Sequence, residues 1–139
     1  MSDLHFTGVF PILVTPFTDN EHIDLTSFER VVDFMAQLGV DGVTILGVLG
    51  ESNRLIDAER EALIQTAVAA SNGRIPIIVG TSHPGTHATL RLSQRAEELG
   101  ASAVMITPSK ENVPNEAHIF EYFQKVAASL TIPIVAQDH

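Results

Sequence analysis

The chain has 139 residues, 45% hydrophobic and 18% charged, the composition of one globular domain with enough apolar material for a core. Eight Lys and Arg stand against seventeen Asp and Glu, and this net charge of −9 argues against nucleic acid or an anionic membrane surface as partner, since both need clustered cations. The lack of cysteine excludes disulfides, thiolate zinc sites and cysteine nucleophiles; no apolar run approaches the roughly 20 residues of a membrane helix, the N-terminus lacks the shape of a signal peptide, and a soluble cytoplasmic protein is the default expectation.

Residues 8–14 read as a first strand, leaving through Thr15-Pro16-Phe17. Thr26 or Ser27 is placed to cap a helix in which Phe28, Val31, Val32, Met35 and Leu38 recur at helical spacing, and Gly39 stops it. Residues 42–46 form a second strand. A glycine-bracketed turn follows, and Asp57 caps a helix to about Ser71, ended by Asn72-Gly73. Residues 75–80 form a third strand, with Pro76 near its start, where a missing N–H is tolerated. A loop, a helix over 86–99 stopped by Gly100, and a strand over 103–106 come next. A longer loop over 107–114 leads to Asn115, the cap of a helix reaching about Leu130. A fifth strand over 132–136 is followed by Gln137-Asp138-His139.

The strands are continuous β-branched runs, as expected of a parallel sheet covered on both faces. Leu38-Gly39-Val40-Asp41-Gly42-Val43-Thr44-Ile45 is echoed by Leu99-Gly100-Ala101-Ser102-Ala103-Val104-Met105-Ile106, and Ile75-Pro76-Ile77-Ile78-Val79 by Ile132-Pro133-Ile134-Val135-Ala136. The two copies of each echo lie about 60 residues apart, roughly two βα units. Four βα units and a bare strand suit two folds. One is a (β/α)8 barrel, which needs eight strands and about 250 residues, so that this chain would supply strands one to five and helices one to four. The other is an open doubly wound parallel sheet.

The stretch Leu46-Gly47-Val48-Leu49-Gly50-Glu51-Ser52 lies between the second strand and the second helix. Ligands bind at the carboxyl ends of parallel strands, so this turn is the first candidate site. Two glycines three residues apart either shape a tight turn or let the backbone present N–H groups to an anion.

This turn, together with Gly8-Val9-Phe10-Pro11, Thr15-Pro16-Phe17, Glu59, Gly80-Thr81, Thr107-Pro108 and Ile132-Pro133-Ile134, resembles the family of dihydrodipicolinate synthase and N-acetylneuraminate lyase. The resemblance runs in order along the whole chain. It implies a (β/α)8 barrel, usually a homotetramer, acting as a class I aldolase or lyase on a small 2-oxo acid such as pyruvate. A lysine on the sixth strand, beyond this chain, would form a Schiff base, and the protonated imine would serve as electron sink. No metal or organic cofactor is implied. The substrate carboxylate would be held at Gly47, Val48, Leu49, Gly50 and Glu51, with Lys110 and Gln137 at strand ends where the family commonly has tyrosines. Val48 and Leu49 stand where the family commonly has two threonines, so the usual Thr-Tyr-Tyr proton relay is absent. A divergent member acting on another 2-oxo acid fits these departures. A non-catalytic binding or assembly module that retains the βα scaffold is the alternative.

Glu51 is read as orienting the turn or the helix entrance, with an acid–base role as the alternative. Lys110 has no neighbouring positive charge to depress its pKa, and is read as a carboxylate contact rather than a nucleophile. Lys125 is a solvated helix residue. His83 and His87 have the i, i+4 spacing of a metal pair, but Pro84-Gly85 lies between them, which favours a loop and helix-start role.

Overall fold

The computed structural model describes residues 4–108 and 115–138. Lys110, Ser109 and His139 therefore lie outside the described residues. Four strands, β1 (Val43–Ile45), β2 (Ile77–Gly80), β3 (Ala103–Ile106) and β4 (Ile134–Ala136), form one parallel sheet in the order β1-β2-β3-β4. Four helices alternate with them: α1 (Leu25–Leu38), α2 (Asp57–Ser71), α3 (Thr86–Glu98) and α4 (Glu116–Ala128). A short 3-10 turn, Ser52–Arg54, precedes α2.

The first expected strand, 8–14, is not a regular strand. It runs parallel to β1 and forms one isolated bridge, Ile12 with Thr44. The N–H groups of Asp41 and Thr44 donate to the carbonyls of Val9 and Pro11 at 3.0 and 2.8 Å, and the Leu13 N–H donates to the Thr44 carbonyl at 2.8 Å. Pro11 has no N–H to give, and the Val9 N–H is taken by the Asp41 carboxylate at 2.7 Å instead of a ladder partner. Among the described residues the sheet thus has four named strands with this segment along its β1 edge, not five strands.

Neighbours in the sheet follow chain order without reversal: Val43, Thr44 and Ile45 face Ile77, Ile78 and Val79; Val79 and Gly80 face Val104 and Met105; Met105 and Ile106 face Val135 and Ala136. Right-handed crossovers that always step in the same direction put every helix on one face. A doubly wound sheet reverses its strand order once, so the open doubly wound alternative does not describe this sheet. The sequential order is that of a barrel arc.

The helix-facing side carries Val43, Ile45, Ile77, Val79, Val104 and Ile106, which join Phe28, Val32, Leu63, Ala67, Ala96 and Val126 in one core. Burying a side chain such as Phe28 or Leu63 stabilises the fold by about 1.5–3 kcal/mol. Alternation puts Thr44, Ile78, Gly80, Ala103, Met105 and Val135 on the other face. Helix α1 packs on α2, and α3 on α4.

Several boundaries differ from the sequence-based expectation. The cap of α1 is Asp24, not Thr26 or Ser27: its carboxylate accepts the Ser27 N–H at 3.0 Å and the Ser27 hydroxyl at 2.6 Å. Asp57 is the first residue of α2, whose entrance at Ile56 is held by the Glu59 carboxylate accepting the Ile56 N–H at 3.1 Å. Helix α4 ends at Ala128, before Leu130, and β2 and β4 begin after their prolines, at Ile77 and Ile134. Gly39 and Asn72 end their helices in the left-handed conformation, and Asn115 caps α4, as expected. Among the described residues no helix is long and apolar enough to cross a membrane.

Candidate functional site

A cavity of about 290 Å³ opens at the carboxyl ends of the strands. Its wall takes Leu46, Gly47 and Val48 from the β1 exit, Gly80, Ser82 and His83 from the β2 exit, Met105 and Thr107 from β3, and Gln137 from β4. Of the expected site residues, Gly47, Val48 and Gln137 therefore line this cavity. Leu49, Gly50 and Glu51 do not, and Lys110 lies outside the described residues.

The turn after β1 is not built on glycine conformations. Positive φ angles fall on Leu46 (58°) and Glu51 (55°), whereas Gly47 and Gly50 have none. The left-handed backbone at Leu46 costs about 1–2 kcal/mol, set against the burial of its side chain, which is 4% exposed. This conformation presses the Leu46 carbonyl against Gly80, where an added Cβ would sit 2.3 Å from the oxygen. Gly80 is thus the glycine that the turn requires. Gly50 is buried under tight packing: a Cβ there would lie 3.2 Å from the Leu46 nitrogen and 3.3 Å from the Leu13 oxygen. Its carbonyl accepts the buried Thr15 hydroxyl at 2.6 Å, tying the N-terminal segment to the turn.

Glu51 turns away from the cavity. Its carboxylate pairs with Arg54 at 3.1 Å on the surface, and its N–H donates to the Val48 carbonyl at 3.0 Å. The Arg60 guanidinium donates twice to the Ser52 carbonyl, at 2.6 and 3.2 Å, and fixes the 3-10 turn against α2. Among the described residues, the N–H groups of Gly47, Val48 and Leu49 donate to no protein acceptor. Two of these three residues line the cavity, which leaves backbone donors free for an anion.

On the opposite wall sequence reasoning named Gln137 but missed Ser82, His83 and Thr107 as site residues. Ser82 accepts from the Thr107 N–H at 2.9 Å and from the Thr107 hydroxyl at 3.2 Å. With both acceptor positions used, the Ser82 hydroxyl proton has no acceptor among the described residues. His83 lies in the loop, not on α3 with His87, and its Nδ1 accepts the Gly85 N–H at 3.0 Å. The neutral ring therefore carries its proton on Nε2. Gln137 is fixed by its N–H donating to the Ile106 carbonyl at 2.9 Å. The signal for this wall was available: Gly80-Thr81 and Thr107-Pro108 end strands, and strand ends carry function. Lys125 pairs with Glu121 at 2.7 Å on the outer surface of α4.

The sequence matches the model of the dihydrodipicolinate synthetase family over residues 5–136. The chain belongs to this family. It is 42% identical to an L-2-keto-3-deoxyarabonate dehydratase of Azospirillum brasilense, a match covering 94% of this chain and 43% of that protein. It is 30% identical to a 4-hydroxy-tetrahydrodipicolinate synthase of Bacillus subtilis, covering 95% and 46%. Among solved structures it resembles a prophage protein of the dihydrodipicolinic acid synthase family from E. coli K12 in complex with pyruvate, with a TM-score of 0.90 and 31% identity over 96% of this chain and 45% of that one. A dihydrodipicolinate synthase from Aquifex aeolicus superposes with a TM-score of 0.89 at 32% identity, covering 94% and 44%. The chain spans less than half the length of these relatives. Its fold is accordingly an arc of the family's barrel.

Proposed function

We propose that this chain is part of a lyase acting on a hydroxylated 2-oxo acid through a lysine Schiff base, the lysine lying beyond residue 139. The single observation that carries the reading is the pairing, across one cavity, of free backbone N–H groups at Gly47 and Val48 with hydrogen-bonding side chains at Ser82, His83, Thr107 and Gln137. A backbone cradle suits a carboxylate, which accepts only. The opposite wall offers donors to hydroxyls further along the substrate. Val48 and Leu49 supply no hydroxyl, so a relay through this turn is lost while the anion-binding donors stay.

Imine formation between the lysine and the keto carbon releases water, and the cation then acidifies C3. Loss of a C3 proton gives an enamine, which can expel a hydroxyl from C4 if a donor protonates it. The His83 Nε2–H is the cavity group suited to hold that leaving oxygen by a hydrogen bond, while the proton itself comes from solvent, because the neutral ring keeps its Nε2 proton. Such a reaction is a dehydration, in keeping with the Azospirillum relative's name. Assembly as a homo-oligomer, a cytoplasmic location and a requirement for no cofactor belong to the same proposal.

Borohydride reduction of the complete gene product with a panel of 2-oxo acids tests the reading. A lysine adduct with pyruvate or with 3-deoxy-2-keto sugar acids supports it, and absence of any adduct across the panel rejects the chemistry. The lost relay hydroxyls at 48 and 49 favour one second reading, a binding or assembly module without catalysis. Reversible binding of a 2-oxo acid without trapping would support that alternative.

A further inference from the structure

We propose that Thr89 and Tyr122 are positioning residues whose hydroxyls clamp His83 and couple the β2 exit loop to the β3 exit. This rests on the proposed 2-oxo acid site. Thr89 is 0% exposed and Tyr122 is 4% exposed. They come from α3 and α4, and neither lines the cavity.

The Thr89 hydroxyl is bonded to both backbone groups of His83. It accepts the His83 N–H at 3.1 Å and donates to the His83 carbonyl at 3.0 Å. One side chain thus takes the place that a neighbouring strand would take. The Tyr122 hydroxyl lies 3.1 Å from the Thr89 oxygen and 3.4 Å from the Thr107 carbonyl. Thr107 in turn donates to Ser82, so the chain of contacts returns to the cavity wall.

Proton counting orients this chain. The two hydroxyls carry two hydrogens for three candidate contacts: Thr89 to His83, Thr89 with Tyr122, and Tyr122 to Thr107. The two shorter contacts take them. Tyr122 donates to Thr89, Thr89 donates to the His83 carbonyl, and the Thr107 carbonyl is left with the weak contact. Burial pushes the Tyr122 hydroxyl pKa up, which keeps that proton in place. Tyr122 is itself held edge-on to Phe123, their ring centres 5.2 Å apart. His83 is exposed, so without Thr89 its peptide would exchange this clamp for water and the imidazole would lose its fixed place.

The test uses the complete gene product with Thr89→Val, Thr89→Ser and Tyr122→Phe. Hydrogen exchange at the His83 amide is read for all of them, along with kcat per borohydride-trapped site and KM for the 2-oxo acid identified by trapping. Thr89→Val keeps shape and removes the hydroxyl. It is expected to speed His83 exchange about tenfold or more, and to lower kcat about tenfold with KM within about twofold, the scale of a misplaced catalytic group. Thr89→Ser restores both, and Tyr122→Phe gives about a threefold effect on each. Wild-type exchange and kcat in both Thr89→Val and Tyr122→Phe overturn the proposal, as does a loss in Thr89→Val that Thr89→Ser shares. Should Thr89→Val fail to fold, Tyr122→Phe decides by the same readouts. If the wild type traps no 2-oxo acid, the Schiff-base reading fails on its own, and His83 exchange alone decides the clamp.

Discussion

Replacing Gly80 by alanine probes the joint between strained turn and strand end. The new Cβ would lie 2.3 Å from the Leu46 carbonyl oxygen, 2.9 Å from its carbon and 3.3 Å from the Gly47 nitrogen. These are backbone atoms, so no side-chain rotation relieves the overlap. An ordinary contact needs about 1 Å more, and the turn must shift by that amount. Overpacking of this kind costs about 1–3 kcal/mol, and loss of the buried place of Leu46 would add to it, so Gly80→Ala is expected to destabilise by about 3 kcal/mol. The same shift moves the Gly47 and Val48 N–H groups, so 2-oxo acid affinity should fall at least tenfold in the fraction that stays folded. Gly47→Ala is the control. Its Cβ would meet only the Ile12 Cγ2 at 3.3 Å and the Met105 Cε at 3.6 Å, side-chain ends that can yield, for a cost below about 1 kcal/mol. Equilibrium urea unfolding and calorimetric titration with pyruvate on the complete gene product measure both. A Gly80→Ala protein within 0.5 kcal/mol of wild type (about the scatter of neutral substitutions) and with unchanged affinity would refute this account of the turn.

Glu97 accepts the Thr131 hydroxyl, which chiefly holds its carboxyl below the ordinary value, and also the N–H groups of Thr131 and Ile132 at 2.8 and 3.0 Å, which add to the effect. A depressed carboxyl stabilises fully above its unfolded value near 4.5 and loses that contribution as pH falls through the folded one; Glu97→Gln should cost about 1 kcal/mol at pH 7, with the difference from wild type shrinking below pH 4.5 in urea melts. Gly50→Val should destabilise by about 2–3 kcal/mol through its contacts with Leu46 and Leu13 rather than through φ, and normal unfolding would show that the packing there is slack. Gly8→Ala places a Cβ 1.9 Å from the Asp41 Oδ2 at a φ of 101°. It should release the 9–13 segment from β1, seen as faster amide exchange at Thr44, with unchanged exchange refuting the tether. Among the described residues β4 pairs only with β3, so the 139-residue polypeptide by itself should associate or aggregate and show no Schiff-base activity. Sedimentation checks this, and a cooperatively melting monomer would contradict it.

Local chemistry made much of this protein legible from its residues. Continuous apolar runs marked β1, β2, β3 and β4, helical spacing marked α1, and Gly39, Asn72 and Asn115 marked helix ends, because periodicity and capping act within a few residues. The ordered motifs pointed to the family and to the turn at 46–52. The first strand was misjudged because the lost N–H of Pro11 and the competing Asp41 carboxylate matter only once the segment lies beside β1. Which atoms form the site was a tertiary decision. Register brings Gly80 under the Leu46 carbonyl, which moves the conformational demand from Gly47 and Gly50 to a glycine some thirty residues on. It also sets Ser82 against Thr107, 25 residues apart, and Thr89 against Tyr122, 33 apart. Hydroxyls find partners by distance in space, and a single chain of letters carries that distance only after the parallel strands have aligned their ends.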